Sequence, residues 1–365
     1  VCSQNITITD IPTIDQLPVN AIHRVFRDSE GYMWYGTVNG LCRDDGYHVK
    51  VFRSDIETPG LLEDNLVECI AEDKKGNIWF GTDKGVYILD KSDYSVHPMD
   101  RERLKNIPVM YLYATSDGYM WLSYRSILAK YDINGQLVKE YPLRNKYGRT
   151  TISGFCESRN HEIIISVWNG RVYHLDKEKD EFVPYPDKMR RQNPTVMVQD
   201  NEQEYFWLAT WGDGVVRFDP SAPEDSMFVY SEIPVNAAGE EDGVILSLVQ
   251  DDKLGYIWLT TGHDFMSLQI QPDKTLKQLK FQTGLLPVNH MLVEVLKGRG
   301  CLWVSAFDRP SFIVHLMDNM TKDYALPALA DRVNRSPAVM ALCDDGDGMM
   351  WMMQERTGLV LYDLK

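Results

Sequence analysis

The sequence lacks several features that would place it in well-known classes. It has no run of 18 apolar residues, so no segment reads as a membrane-spanning helix. Lys and Arg cluster nowhere, and the net charge is −15, which argues against nucleic acid and anionic membranes as partners. Its six cysteines form no CxxC pair and show no zinc-ligand spacing, so no metal site is expected. No Walker loop or dinucleotide motif occurs either, so no cofactor is expected.

What the sequence does have is an internal repeat. The unit reads Asp-x-x-Gly-apolar-Trp-apolar-small-x-x-x-Gly and recurs eight times, at separations of 42 to 51 residues. The fourth copy carries Ile164 in place of the Trp. The other seven Trp positions are Trp34, Trp79, Trp121, Trp207, Trp258, Trp303 and Trp351. A period in the forties with a Trp and turn glycines is typical of a propeller blade of four strands.

The strand that carries the Trp favours a propeller over a two-layer sandwich. Both neighbours of the Trp are apolar in almost every copy, as at Ile78 and Phe80. Neighbouring strand residues point to opposite faces, so both faces of this sheet must be buried. Blades packed face to face around an axis have this property. We therefore predict an all-β fold, a β-propeller of four-stranded blades.

The ends of the chain bear on the number of blades. Residues 5–9 resemble an outer strand without its blade, and residues 338–363 resemble three strands that lack an outer one. The sequence predicts a single domain over 1–365, in which strand 5–9 joins strands 338–363 to close an eighth blade. The alternative is a seven-bladed ring followed by one extra unit.

Residues Leu17–Ile22 followed by Asp28–Leu41 resemble the two-component regulator propeller repeat, and so do Asp73–Val86 and Leu286–His290. In that family the repeats form the periplasmic sensor of hybrid two-component systems, which join a histidine kinase and a response regulator in one polypeptide. Many of these sensors detect oligosaccharides released from glycans. Family sensors usually carry about twice as many repeats, followed by a β-sandwich and a membrane helix. The resemblance implies a periplasmic location and contact with the membrane only through such later segments. It leaves a homodimer open, since signalling through a kinase usually requires one.

The turn between the second and third strands of each blade points to a binding surface. In the first two copies it is a plain turn, whereas later copies place large, aromatic or charged residues there, which turns rarely need. Aromatic faces suit the C–H side of a sugar ring, and polar side chains suit its hydroxyl groups. We predict Trp168 and Trp211 as stacking platforms. The predicted polar contacts are Tyr124, Arg125, Asp213, His263, Asp264, Asp308, Arg309 and Arg356.

Two other classes of function compete with a non-catalytic oligosaccharide sensor. One is a propeller enzyme, either a carbohydrate lyase or hydrolase or a quinone-dependent dehydrogenase, and the other is a protein-interaction platform. The pair His263–Asp264 could transfer protons, but no nucleophile elbow, HExxH, Walker loop or dinucleotide motif accompanies it. Such dehydrogenases typically carry adjacent cysteines, which this chain lacks. The sequence therefore predicts no catalytic residues in this domain.

Overall fold

The computed structural model describes residues 6–191, 193–236, 239–251, 255–261, 264–278, 292–298, 300–306, 309–316, 339–344, 349–354 and 358–363. The chain divides into two compact units, Val1–Asp318 and Asn319–Lys365. The first unit consists of four-stranded antiparallel sheets arranged as blades, so the predicted architecture is confirmed. We name the strands of each blade A to D from the channel outward.

The first three blades follow one another along the chain. Their strands are β2 (Ile22–Arg27), β3 (Met33–Thr37), β4 (Gly40–Asp44) and β5 (Val49–Phe52); β6 (Val67–Glu72), β7 (Ile78–Thr82), β8 (Gly85–Leu89) and β9 (Val96–Met99); and β10 (Val109–Ala114), β11 (Met120–Tyr124), β12 (Ile127–Tyr131) and β13 (Leu137–Pro142). A helical turn, α1 (Arg101–Leu104), joins blades 2 and 3. A hairpin of β14 (Arg144–Asn145) and β15 (Gly148–Arg149) precedes blade 4.

Blades 4 to 6 repeat this pattern. Their strands are β16 (Ile152–Glu157), β17 (Ile163–Val167), β18 (Val172–Asp176) and β19 (Glu181–Pro184); β20 (Pro194–Gln199), β21 (Phe206–Thr210), β22 (Val215–Phe218) and β23 (Phe228–Tyr230); and β24 (Ile245–Gln250), β25 (Tyr256–Thr261), β26 (Phe265–Ile270) and β27 (Leu276–Gln278). Short 3-10 turns lie at Ile14–Gln16 and Glu224–Ser226.

The seventh blade takes its outer strand from the other end of the chain. Its strands A to C are β28 (Leu292–Lys297), β29 (Cys301–Ala306) and β30 (Phe312–Leu316). Strand D is β1 (Ile6–Asp10), which pairs antiparallel with β30 from Ile6↔Leu316 to Asp10↔Phe312. The predicted pairing of strand 5–9 with strands 338–363 was therefore wrong. The outer edge of β30 receives β1 as its partner, so β1 is not available to the eighth repeat.

The ring in the first unit thus holds seven blades, which was the alternative count. The eighth repeat forms a three-stranded sheet in the second unit, with β31 (Val339–Asp344), β32 (Met349–Gln354) and β33 (Gly358–Asp363) in that order. That residues 1–365 form one domain stays a prediction.

Apolar packing between neighbouring blades holds the ring together. Strand B is buried at every position in blades 1 to 5, as the apolar residues on its two faces predicted. The Trp position of one blade packs against the next blade: Trp34 clusters with Ile78 and Phe80, and Trp258 clusters with Leu302. Blade 7 packs on blade 1 in the same way, with Ile313 against Tyr35. This last cluster closes the circle.

The repeated Asp and Trp form one structural device. In blade 1 the Asp28 carboxylate accepts the backbone N–H groups of Glu30 and Tyr32 at 3.1 and 2.9 Å, so it caps the A–B turn. Its second oxygen accepts Trp34 Nε1 at 2.9 Å inside the blade. The same indole-to-carboxylate bond occurs in blades 2, 5 and 6 at 2.9 to 3.0 Å. The motif therefore joins a surface turn to the buried core.

The small residue two positions after the Trp has a steric cause. A Cβ built on Gly81 would lie 2.5 Å from the carbonyl oxygen of Val109, which begins strand A of the next blade. A Cβ on Gly36 would lie 2.9 Å from the carbonyl oxygen of Val67. The small residue thus admits the backbone of the neighbouring blade.

Candidate functional site

The predicted binding turns lie at one end of the channel. Strand A begins where strand B ends, because Ile152 pairs with Val167 and Pro194 pairs with Thr210. The B–C turn and the D–A connection of a blade therefore share one face of the ring. Backbone hydrogen bonds join them: Trp168 N donates to Thr151 O at 3.0 Å, and Trp211 N donates to Asn193 O at 2.8 Å. We call this end the mouth of the channel.

Trp168 and Trp211 stand together at the mouth. Their ring centroids are 5.6 Å apart and their planes cross at 84°. Trp168 is half-buried, while Trp211 has 46% of its surface exposed. Both line the central cavity of about 530 Å³, whose remaining wall comes mostly from strands A. Neither indole is in the core of a blade, and together they form a corner of two perpendicular apolar faces.

Local hydrogen bonds fix the Trp211 turn. Thr210 Oγ1 donates to Gly214 O at 2.8 Å and accepts the backbone N–H of Asp213 at 2.9 Å. Gly212 has a φ of +118°, a backbone conformation that favours glycine. Trp211 also forms an isolated antiparallel bridge with Val244 of the next D–A connection. The exposed indole is thus carried on a rigid turn.

The Trp168 turn is held from the preceding connection. Its carbonyl oxygen accepts Asn145 Nδ2 at 2.9 Å and Thr150 Oγ1 at 2.7 Å. Asn169, the next residue, adopts a φ of +50°. Asn145 lies in the β14–β15 hairpin, and Thr150 directly follows it. In the described part of the ring, such a hairpin occurs only in the connection that leads into blade 4.

Asp213 lies two residues after Trp211 in the same turn, and one of its carboxylate oxygens lacks a hydrogen-bond partner among the described residues. Its Oδ1 lies 3.5 Å from Arg191 Nε, and its side chain is 11% exposed. Its Oδ2 is buried and has no hydrogen-bond partner in the described part of the protein. A buried carboxylate oxygen without a donor is energetically costly.

The other predicted residues differ in how much of their side chain is exposed. Arg125 is exposed in the B–C turn of blade 3, with a φ of +55°. Tyr124 is buried, and its hydroxyl donates to Glu140. Asp264 is also buried, and its backbone N–H donates to Thr261 Oγ1 at 2.9 Å. Both side chains are therefore largely closed to solvent, and their contact with a ligand stays a prediction.

Arg309 is partly exposed, and its guanidinium group lies 5.1 Å from the centroid of the Phe312 ring. Its Nε donates to the carbonyl oxygen of Pro310 at 3.3 Å. The predictions for His263, Asp308 and Arg356 fall outside the described residues.

The sequence reasoning missed a charged group deeper in the channel. Arg24 lies 3.3 Å from Glu294 Oε1 across the junction of blades 1 and 7, and its Nε donates to Glu68 O at 2.8 Å. Burial opposes the charge on Arg24, but the Glu294 carboxylate outweighs it and raises the pKa of Arg24. The Tyr111 ring lies 5.9 Å from the guanidinium group.

A bulge explains how these side chains reach the channel. In every blade the pairing of strands A and B shifts by one residue after the first pair, as between Ile22 and Arg24 or between Leu292 and Glu294. The third residue of strand A therefore lines the channel. This position, read across the repeats, could have indicated Arg24, Tyr111 and Glu294.

Metal-binding clusters and membrane-spanning helices are absent from the described part of the chain. In the described part of the chain, no three His, Cys, Asp or Glu side chains stand close enough to hold a metal ion. No described helix is long and apolar enough to cross a membrane.

Residues 16–39 and 61–84 match the family model of the two-component regulator propeller, so blades 1 and 2 contain this repeat. No curated protein matches the chain in sequence.

Solved structures share the fold at low sequence identity. One is the extracellular domain of a B. thetaiotaomicron protein described as a one-component system, with 18% identity and a TM-score of 0.65 over 94% of this chain and 44% of that one. Another is the extracellular domain of a B. thetaiotaomicron hybrid two-component system, with 16% identity and a TM-score of 0.63 over 99% of this chain and 48% of that one. The chain thus spans less than half the length of these two domains.

An enzyme is similar to the same degree. Virginiamycin B lyase of Staphylococcus aureus has 11% identity and a TM-score of 0.65 over 86% of this chain and 99% of that one. At these identities the likeness shows the fold alone, and function must be argued from the site.

Proposed function

We propose that this propeller is a non-catalytic, extracytoplasmic sensor module that binds an oligosaccharide at the mouth of its channel. In this proposal it is part of a longer two-component protein and relays its occupancy to a kinase. The repeats of blades 1 and 2 and the likeness to extracellular sensor domains support the sensor role.

The paired indoles carry the argument for a sugar. Two perpendicular aromatic faces form an apolar corner that is open to solvent on one side. Adjacent aromatic faces that line a cavity form an apolar patch, and such patches often mark a ligand-binding site. In this proposal a sugar ring presents C–H groups to an aromatic face, and Asp213, in the same turn as Trp211, is the expected acceptor for one of its hydroxyl groups.

Calorimetry with a panel of neutral oligosaccharides tests the proposal. One of these sugars should bind the wild-type protein, and W211A should weaken that binding by about 2 kcal/mol, or roughly 30-fold in Kd. W168A should have an effect of similar size, and D213N a smaller one. Y47A is the matched control, because Tyr47 is 80% exposed in the C–D turn of blade 1 at the opposite end of the blades. Equal binding by wild type and both tryptophan variants would refute this site.

The fold it shares with a lyase makes catalysis the second candidate. Incubation of the purified protein with each bound sugar, followed by chromatography of the products, separates the two functions. A sensor returns the sugar intact, whereas an enzyme shortens it. An interaction platform would bind none of the sugars and would instead capture a protein partner through the same mouth.

A further inference from the structure

A second feature lies at the opposite end of the blades, where the A–B turns are. At the junction of blades 1 and 2, Asp28 Oδ2 accepts two donors, Trp34 Nε1 at 2.9 Å and Lys91 Nζ at 3.3 Å. Lys91 comes from the C–D turn of blade 2 and also lies 2.7 Å from Glu72 Oε1. A carboxylate therefore lies between an indole N–H and a lysine, so both donors at this junction have an acceptor.

Blades 3 and 4 repeat most of this junction. Ser29 donates its N–H and hydroxyl to the two carboxylate oxygens of Glu72, and Ser116 donates in the same way to Glu157. Lys177 follows β18 at the position that Lys91 holds after β8. The difference is at the turn residue, because Thr115 stands where blade 1 has Asp28.

The substitution removes the carboxylate but leaves its donors. Trp121 is 1% exposed, and its Nε1 has no hydrogen-bond partner in the described part of the protein. Thr115 Oγ1 donates instead to Asp117 at 2.6 Å. In four other blades the indole N–H at this position donates to an Asp carboxylate. A buried indole N–H without an acceptor is unusual in proteins, so blade 3 departs from the repeat at this bond.

A cavity of about 540 Å³ opens at this position. Trp121 and Lys177 form part of its wall, with Ser116, Asp117, Lys130 and Glu157 around them. The nearby carboxylates already have donors: Asp180 accepts Lys139 Nζ and the Tyr141 hydroxyl at 2.7 Å each, and Glu157 accepts His161 Nδ1 at 3.0 Å. Among the described groups around the cavity, the buried polar atom without a partner is the Trp121 N–H donor, so the cavity is suited to an acceptor.

We propose that this cavity binds a small monocarboxylate, whose carboxylate group replaces the missing Asp side chain between Trp121 Nε1 and Lys177 Nζ. A singly charged ligand is favoured over a dianion because Asp117, Glu157 and Asp180 also line the cavity. The site is independent of the proposed sugar site, which lies at the other end of the blades.

Nuclear magnetic resonance of the tryptophan indole groups tests this site, with acetate, propionate and lactate as probes. Acetamide at the same concentration and constant ionic strength is the neutral control. The Trp121 indole resonance, assigned by its loss in W121F, should shift saturably with a carboxylate and not with acetamide. K177Q should weaken binding about tenfold, while K105Q, at an exposed lysine outside the cavity, should not change it.

T115D supplies the decisive variant because it restores the blade 1 arrangement. It should abolish carboxylate binding, and its thermal midpoint should equal or exceed that of the wild type. If T115D fails to fold, K177Q still decides the matter. The proposal is overturned if no probe shifts the resonance up to ~100 mM, which corresponds to a binding free energy near −1.4 kcal/mol. It is also overturned if acetamide acts equally or K177Q has no effect, in which case only water fills the cavity.

Discussion

Replacing Asp73 by Ala should destabilise the ring far more than a turn residue normally would. The Asp73 carboxylate accepts the backbone N–H groups of Lys75 and Asn77 at 2.8 and 2.9 Å, and Trp79 Nε1 at 2.9 Å. Trp79 is fully buried. The turn N–H groups regain water in the variant, but the indole N–H cannot. Since a hydrogen bond to a charged group contributes about 1.5–3 kcal/mol and a buried orphan costs a similar amount, we expect a loss of about 3 kcal/mol.

Urea denaturation followed by tryptophan fluorescence measures this loss. With a slope of roughly 3 kcal/mol/M, the midpoint should fall by about 1 M. The matched control is D90A, because Asp90 caps the C–D turn of the same blade through Ser92 at 2.8 Å but reaches no buried group. We expect D90A to cost less than about 1 kcal/mol.

A double-mutant cycle with W79F isolates the indole bond. The coupling energy between Asp73 and Trp79 should be about 1.5 kcal/mol or more. If D73A costs no more than D90A, or if the coupling energy is zero, then the Asp–Trp pair does not support the blade.

Three further predictions follow from packing and burial. G81A should lower the free energy of unfolding, measured in urea, by about 3 kcal/mol, because its Cβ would lie 2.5 Å from a carbonyl oxygen of the next blade. G60A has open space around it and should lose only the ~1 kcal/mol that its positive φ costs. Equal losses would contradict the steric account. The backbone N–H of Thr58, helped by Arg53, lowers the pKa of Asp55 from 3.8 to about 2. The ionised Asp55 carboxylate should therefore stabilise the folded state fully above pH 3.8, and this stabilisation should be lost as the pH falls towards 2. A carboxyl ¹³C titration of Asp55 near pH 3.8 in the folded protein would contradict the lowered pKa. Burial raises the pKa of the Cys42 and Cys69 thiols to about 12. At pH 8 both thiols should therefore be alkylated at least about 100-fold more slowly in the native protein than in urea. Equal alkylation rates by mass spectrometry would disprove this protection.

The repeat made the blades predictable because each blade needs only local signals. Turn residues such as Asp28 and Gly31, and apolar residues on both faces of strand B, are visible within fifteen residues of one another. Ring closure is different. The pairing of Ile8 with Val314 joins distant parts of the chain, and an alternating strand such as residues 5–9 suits more than one open edge.

The site was predictable in part for the same reason. Unusual residues in the B–C turns led to Trp168 and Trp211, because turn chemistry alone does not call for an indole. Tyr124 carried the same signal, yet its hydroxyl is taken by Glu140 on strand D of its own blade. Such a contact depends on strand register and twist, which the spacing of residues does not reveal.

The strand exchange in blade 7 has a consequence for how the protein is made. Thr9 and His315 form a hydrogen bond although 306 positions separate them. At a translation rate of about 5–20 residues per second, β1 leaves the ribosome roughly 15 to 60 s before β30 does. During that interval an exposed sheet-forming segment awaits its neighbour, so nascent chains stalled in the seventh repeat should be the ones most prone to associate with chaperones or with each other.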